Sequence, residues 1–163
     1  GFFAETADPD AVGVFAERRK PLRENAVAAR FLIELHRMLD HSEDKLPYEP
    51  AARRALLAVS QPKNIKSFGR TIGEYLVALE LLRATPVDIT VVGTPTDPEA
   101  QALHRAARIL YAPQATLAWS APGERYPDRG KPAVYLCTDS TCSPPIFDAA
   151  AVPERGRLFL ESL

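Results

Sequence analysis

Val87-Asp88-Ile89-Thr90-Val91-Val92-Gly93-Thr94-Pro95-Thr96-Asp97-Pro98-Glu99 is the stretch at which the pattern of the chain changes. Before it, apolar residues recur at helical spacings. Here a short β-branched, largely apolar run bounded by Pro86 and Gly93 reads as a buried strand. Thr96 or Asp97 can cap a following helix, with Pro98 at its first position and Glu99 in its first turn. That helix carries Ala102, Leu103, Ala106, Ile109 and Leu110. Gln114–Ser120 then reads as a second strand, 121–131 as a loop rich in turn residues, and Ala133–Cys137 as a third strand. A strand–helix–strand crossover of this length predicts a parallel pair with a right-handed connection. From Asp148 to Leu163 one more short helix is expected, broken near Pro153.

Upstream, residues 1–22 show no helical period and end in the basic cluster Arg18-Arg19-Lys20. Over 23–40, Val27, Phe31, Leu32, Leu35, Met38 and Leu39 recur at three- and four-residue spacings and predict an amphipathic helix. Pro50 opens a second helix, with Ala51, Ala55, Leu56 and Val59 on one face until Pro62 stops it. A third helix is predicted over 67–83, with Ser67 as N-cap and Phe68, Ile72, Leu76, Leu79 and Leu82 inside. Gly69 and Gly73 lie four apart, either for close helix approach or merely tolerated. The expectation is therefore an α+β chain: a helical part over 1–85, then a small three-stranded α/β unit over 86–163.

Composition bounds the function. At 163 residues, 46% hydrophobic and 25% charged, the chain is of ordinary globular make-up. Lys and Arg total 20 against 21 for Asp and Glu, and neither half carries the basic excess that nucleic-acid or anionic-membrane binding needs. Fifteen prolines predict long loops. No leader-like n- and h-regions open the sequence, and its apolar runs fall far below the ~20 residues of a bilayer span. Two cysteines are too few for a disulfide scaffold. The expected location is cytoplasmic, with no membrane or nucleic-acid partner.

Few residues suggest chemistry. Val92–Pro98 sits where a strand enters a helix N-terminus, but it has one glycine and two prolines that remove amides. It reads as a capped turn rather than a phosphate cradle. Cys137-Thr-Asp-Ser-Thr-Cys142 is the most informative motif. Its spacing exceeds the redox C-x-x-C, and no second ligand pair follows for zinc, so no metal is expected. The four intervening residues form a good turn, which would set the cysteines opposite one another across a hairpin. Two packed reduced thiols, a disulfide bridge and a redox-active pair all fit that placement. His36, His41 and His104 lack partners at motif spacing, and Glu34, Asp40, Glu43 and Asp44 read as a solvated acidic face. Arg18, Arg19, Lys20 and Arg23 could hold an anion, although such clusters more often lie in water. With no nucleophile–base motif, metal-ligand spacing or phosphate loop, the chain alone is expected to have no cofactor and no hydrolase or transferase activity.

Arg19-Lys20-Pro21-Leu22-Arg23-Glu24-Asn25-Ala26-Val27-Ala28-Ala29 resembles a stretch of the spermatogenesis-associated, thioredoxin-like proteins with a six-hairpin-glycosidase-like body. Gly1-Phe2-Phe3, the Val87–Gly93 strand and Pro132-Ala133-Val134-Tyr135-Leu136-Cys137…Cys142-Ser143-Pro144-Pro145 match in the same order. The resemblance covers nearly the whole chain and only the C-terminal part of the family's longer members. It implies that the helices are the last of an α/α barrel and that the α/β unit is its appendage. It further implies that Lys20 and Asn25 are polar residues of the barrel mouth. Around that asparagine the family often has Gly and Ser, where this chain has Glu24 and Ala26. A structural or interaction role follows, with a carbohydrate-related enzyme fragment or a thiol redox module using Cys137 and Cys142 as alternatives. The expected partners are further copies of the chain, or a thioredoxin-like or barrel chain. Six residues (Val27, Phe31, Leu35, Phe68, Ile72 and Leu76) would then present more apolar surface than this chain can cover.

Overall fold

The computed structural model describes residues 1–39 and 47–163, and the chain divides into two units, Gly1–Ala84 and Thr85–Leu163. His41 and the acidic residues Asp40, Glu43 and Asp44 lie outside the described residues. The class is α+β: helices throughout and one small mixed sheet. Among the described residues no helix is long and apolar enough to cross a membrane.

In the first unit an irregular arm, with a single 3-10 turn at Gly13–Phe15, leads into α1 (Leu22–Leu39) just after Pro21. Helix α2 is Tyr48–Val59; α3 (Pro62–Phe68) and α4 (Gly73–Arg83) flank a 3-10 turn at Gly69–Ile72. The single helix expected over 67–83 is thus two. Pro62 opens α3 in a first turn that needs no amide, and Gly69 ends it at φ 49°, a left-handed angle that side chains disfavour. Ser67 is accordingly no N-cap; it sits inside α3, and its hydroxyl donates back to the Asn64 carbonyl at 2.7 Å. A Cβ at Gly69 or Gly73 would meet nothing within 4 Å, so neither glycine serves close helix approach.

The core of this unit takes the alanine-bearing face of α1. Leu22, Ala26, Ala29 and Ile33 are buried, against Ala52, Ala55, Leu56 and Val59 of α2 and Tyr75, Ala78 and Leu81 of α4. Val27, Phe31 and Met38 are exposed instead. Helix α1 is apolar on two stripes about 150° apart. The stripe with the alanines faces inward because small side chains let helix backbones approach closely and gain dispersion contacts along their length. Leu76, expected inside, is exposed on α4, while Phe68, Ile72, Leu79 and Leu82 are half-buried.

The second unit follows the sequence reading closely. Strands β1 (Val87–Val92), β2 (Ala115–Ser120) and β3 (Ala133–Cys137) form a sheet in the order β2-β1-β3. β1 and β2 are parallel, joined through α5 (Pro98–Ala107), and β3 returns antiparallel to β1. Asp97 caps α5 by accepting from the Glu99 amide at 2.9 Å, with Pro98 in the first turn. Alternation along β1 divides its residues. Val87, Ile89 and Val91 meet Leu103, Ala106, Val134, Leu136, Ile146 and Val152 in one core, while Asp88, Thr90 and Val92 face the other way. Helix α5 stops at Ala107, short of Ile109 and Leu110, which the sequence placed on it, and Ile109 is exposed. At the C-terminal end Pro153 does not break a helix. A 3-10 turn at Ala149–Ala151 leads into α6 (Val152–Glu161), with Pro153 in its first turn.

Candidate functional site: a disulfide hairpin under two stacked tyrosines

Asp88, Thr90 and Val92 stand opposite Cys137, Tyr135 and Ala133 in the antiparallel register, so the second face of the sheet carries a polar row beside a cysteine. The chain after β3 turns back on itself. The Ser143 amide donates to the Leu136 carbonyl at 2.7 Å and the Thr138 amide to the Thr141 carbonyl at 2.8 Å. These bonds flank Cys137 and Cys142, making them a non-hydrogen-bonded cross-strand pair, the arrangement in which facing residues stand closest. Their Cα atoms are 4.1 Å apart and their sulfurs form a disulfide, S–S 2.07 Å. Of the placements open from the sequence, the structure has the bridge. Thr138 also organises the turn, its hydroxyl oxygen accepting from the amides of Ser140 (3.4 Å) and Thr141 (3.2 Å). Further on, Ile146 pairs with Val134, and Pro144-Pro145, without amide protons, interrupts the outer ladder.

The two sulfurs sit in different surroundings. Cys137 is buried, at 4% exposure, and Cys142 is exposed. Over Cys137 lies Tyr126, carried by the loop between β2 and β3. Its hydroxyl is 3.3 Å from the Cys137 sulfur and 3.5 Å from Thr90 Oγ1. Since a disulfide sulfur has no proton, only the phenol can donate in that contact, and its single proton is shared between the sulfur and Thr90 Oγ1. Tyr126 stacks on Tyr135 with centroids 4.3 Å apart and planes at 17°. The Tyr135 hydroxyl is buried with no hydrogen-bond partner among the described residues.

The loop is pinned to the sheet. Arg125 pairs with Asp88 at 2.8 Å, and Asp88 also accepts from the Thr116 hydroxyl at 2.7 Å. The Glu124 carboxylate accepts from the Ala121 amide at 3.1 Å, and the Gly123 amide donates to the Tyr126 carbonyl at 2.9 Å. The Arg125 guanidinium lies 5.6 Å from the Tyr126 ring centre, within cation–π range.

Arg18, Lys20, Asn25, Glu34 and His36, also singled out from the sequence, belong to the helical unit, and His104 to the α/β unit. Asn25 is fully buried, and every polar atom of its side chain is used. Its Oδ1 accepts from the Phe2 amide at 2.6 Å, while Nδ2 donates to the carbonyls of Phe2 (2.9 Å) and Pro21 (2.8 Å). It pins the N-terminal arm to α1. Gly1 is part of the same fit, because a Cβ there would stand 2.7 Å from Ala58 Cβ and 2.8 Å from Asn25 Oδ1. Lys20 and Arg18 lie over the Phe3 ring, at 4.6 and 3.8 Å from its centre. His36 faces Glu49 at 3.5 Å, and His104 stacks on Trp119 at 4.8 Å. Glu34 pairs with Arg30, which also reaches Glu74. Arg37 donates to the carbonyls of Leu81 and Ala84 at the end of α4, where a cation suits the helix dipole. Burial pushes its pKa below the ordinary arginine value, against the opposing pull of Glu34 and Glu49.

Tyr126, Tyr135, Thr90 and Arg125 were not singled out from the sequence. The one signal for this face was Asp88 and Thr90 at alternate positions of an otherwise apolar strand. No family model, curated protein or solved structure matches the chain.

Proposed function

We propose that this chain is the C-terminal, non-catalytic part of a spermatogenesis-associated, thioredoxin-like protein with a six-hairpin-glycosidase-like body, and that its helical unit packs against further helices. The family reading rests on the motifs Gly1-Phe2-Phe3, Lys20-Pro21…Asn25-Ala26-Val27-Ala28-Ala29 and Cys137…Cys142-Ser143-Pro144-Pro145. The observation that carries the packing role is the outer stripe of α1, where Val27 is 46%, Phe31 60% and Met38 71% exposed. A shallow groove of about 420 Å³ runs over Val27, Ala28 and Phe31, with Arg23 and Glu24 beside it. Leu76 and Val77 on α4 and Leu57 on α2 are also exposed. Fully burying one such side chain gains ~1.5–3 kcal/mol, so covering this stripe stabilises an assembly appreciably. A cytoplasmic location accompanies this reading.

Without its barrel the chain covers the stripe with a second copy, a symmetric dimer being the commonest solution. Sedimentation at micromolar concentration is expected to return at least twice the chain mass. Val27→Ser with Phe31→Ser is expected to return the monomer with stability changed by no more than ~0.5 kcal/mol per site, as for other exposed positions. A wild-type monomer throughout that range would sink the packing role.

A further inference from the structure

We propose that Cys137 and Cys142 form a dithiol–disulfide exchange site in which the Cys142 sulfur is the point of attack and Cys137 the leaving thiolate. This stands on the α/β unit alone and does not depend on the packing role above.

The asymmetry of the pair dictates the direction. Cys142 is exposed on the returning segment, whereas Cys137 is buried beneath Tyr126. An incoming thiolate therefore reaches the outer sulfur. The sulfur that leaves must take up negative charge, and in apolar surroundings a thiolate leaves badly because desolvation raises its pKa. The Tyr126 hydroxyl, 3.3 Å from that sulfur, supplies a proton donor at the atom where charge develops. Thr90 at 3.5 Å and the stack on Tyr135 hold the phenol there, so both are positioning residues. Arg125, 5.6 Å from the Tyr126 ring centre, is neutralised by its 2.8 Å pair with Asp88, which stands opposite Cys137 in the register, so the phenol rather than a net charge favours the departing sulfur.

The hairpin is suited to both redox states. The Thr138–Thr141 and Leu136–Ser143 hydrogen bonds close the turn independently of the sulfurs. The bridged ring spans a sequence separation of 5, so the bond adds less chain-entropy stabilisation against reduction than one closing a longer loop.

The co-reactant is a dithiol. Its first thiolate attacks Cys142 Sγ; the new S–S bond forms as the Cys142–Cys137 bond breaks, and the electron pair leaves on Cys137 Sγ. Its second thiolate then attacks its own bridged sulfur and releases Cys142. The dithiol gives up two electrons and two protons and becomes a disulfide, and the two cysteines take them up as thiols. The reverse sequence oxidises the chain.

The test uses the intact chain with dithiothreitol as the dithiol, counting alkylated thiols by mass spectrometry while circular dichroism monitors the fold. Reduction is expected to complete with the fold retained. Single variants separate the sulfurs: free Cys142 in Cys137→Ser is expected to react with an aromatic disulfide reagent at least about tenfold faster than free Cys137 in Cys142→Ser. Tyr126→Phe keeps the ring stack and removes the donor. It is expected to slow reduction about tenfold at neutral pH and to move the reactivity profile of Cys137 to higher pH, which a packing role would leave in place. A disulfide that resists dithiothreitol until the chain unfolds would overturn the proposal, as would Cys137 reacting as fast as Cys142. An unchanged pH profile in Tyr126→Phe would remove the phenol from the mechanism.

Discussion

Replacing Asn25 with alanine is expected to release the N-terminal arm from α1 and to cost the helical unit ~2–4 kcal/mol. The side chain is fully buried and joins the Phe2 amide, the Phe2 carbonyl and the Pro21 carbonyl in one hydrogen-bonded cluster. Each bond contributes a net ~0.5–1.5 kcal/mol, but truncation also leaves partners without a donor or acceptor, which costs more than the bonds were worth. Against a typical stability of ~5–15 kcal/mol this is a large fraction, visible as a fall in Tm on the order of 10 °C.

Limited proteolysis gives the local readout. Arg18 and Arg19 are trypsin sites within the arm, whereas Lys20 is followed by Pro21. The arm is otherwise held by the Ala4 amide on the Arg19 carbonyl at 2.9 Å and by Arg18 on the Glu5 carbonyl. Cleavage at both arginines is expected to speed up in Asn25→Ala. Lys20→Ala, which loses one exposed cation–π contact, should cost only ~0.5–1 kcal/mol. Asn25→Asp is the sharper variant. It keeps the acceptor for Phe2 but turns a donor toward two carbonyls into a negative oxygen. Burial and those carbonyls raise the folded pKa of the new carboxyl, so its deficit grows as pH rises through that pKa and shrinks on acidification. Cleavage and Tm unchanged in Asn25→Ala would mean that the arm is held by other contacts.

The second large effect is expected at Leu136→Ala. Leu136 is fully buried in β3, opposite Ile89 in register and in one cluster with Leu103, Ile146 and Val152. Loss of the side chain removes transfer free energy and leaves a cavity that the flanking strand and helices refill only in part, together ~2–5 kcal/mol. Trp119, the one tryptophan of the chain, sits in β2 stacked on His104 and reports on this unit. Its fluorescence in a urea titration is expected to show a midpoint lower by roughly 1–3 M. Ile109→Ala removes a similar volume from a residue 75% exposed and is expected to stay within ~0.5 kcal/mol. Equal shifts in the two variants would mean that the sheet core is not the source of stability.

How far the sequence reaches is clearest in the α/β unit. The β-branched run Val87–Val92, the Asp97–Pro98 cap and the length of the crossover are local features, and together they imply β1, α5 and a parallel β2. Ala133–Cys137 and the turn after it were legible for the same reason, since turn chemistry acts over a few residues and brings Cys137 to Cys142.

The choice between the two apolar stripes of α1 was not local. Val27, Phe31 and Met38 make the more conspicuous period, yet Ala26 and Ala29 face the core, because the close approach of α2 and α4 is a property of three helices together. Asn25 likewise carried no mark of its role until the arm folded back to offer it Phe2. The exchange site divides in the same way. Sequence places the two sulfurs together, but only tertiary structure buries one, exposes the other and lays Tyr126 on the buried one, through a loop whose path is set by the Arg125–Asp88 pair across the sheet. Proximity along the chain is written in turn residues. Burial and partnership depend on which distant surfaces meet, and no short stretch of sequence contains both surfaces.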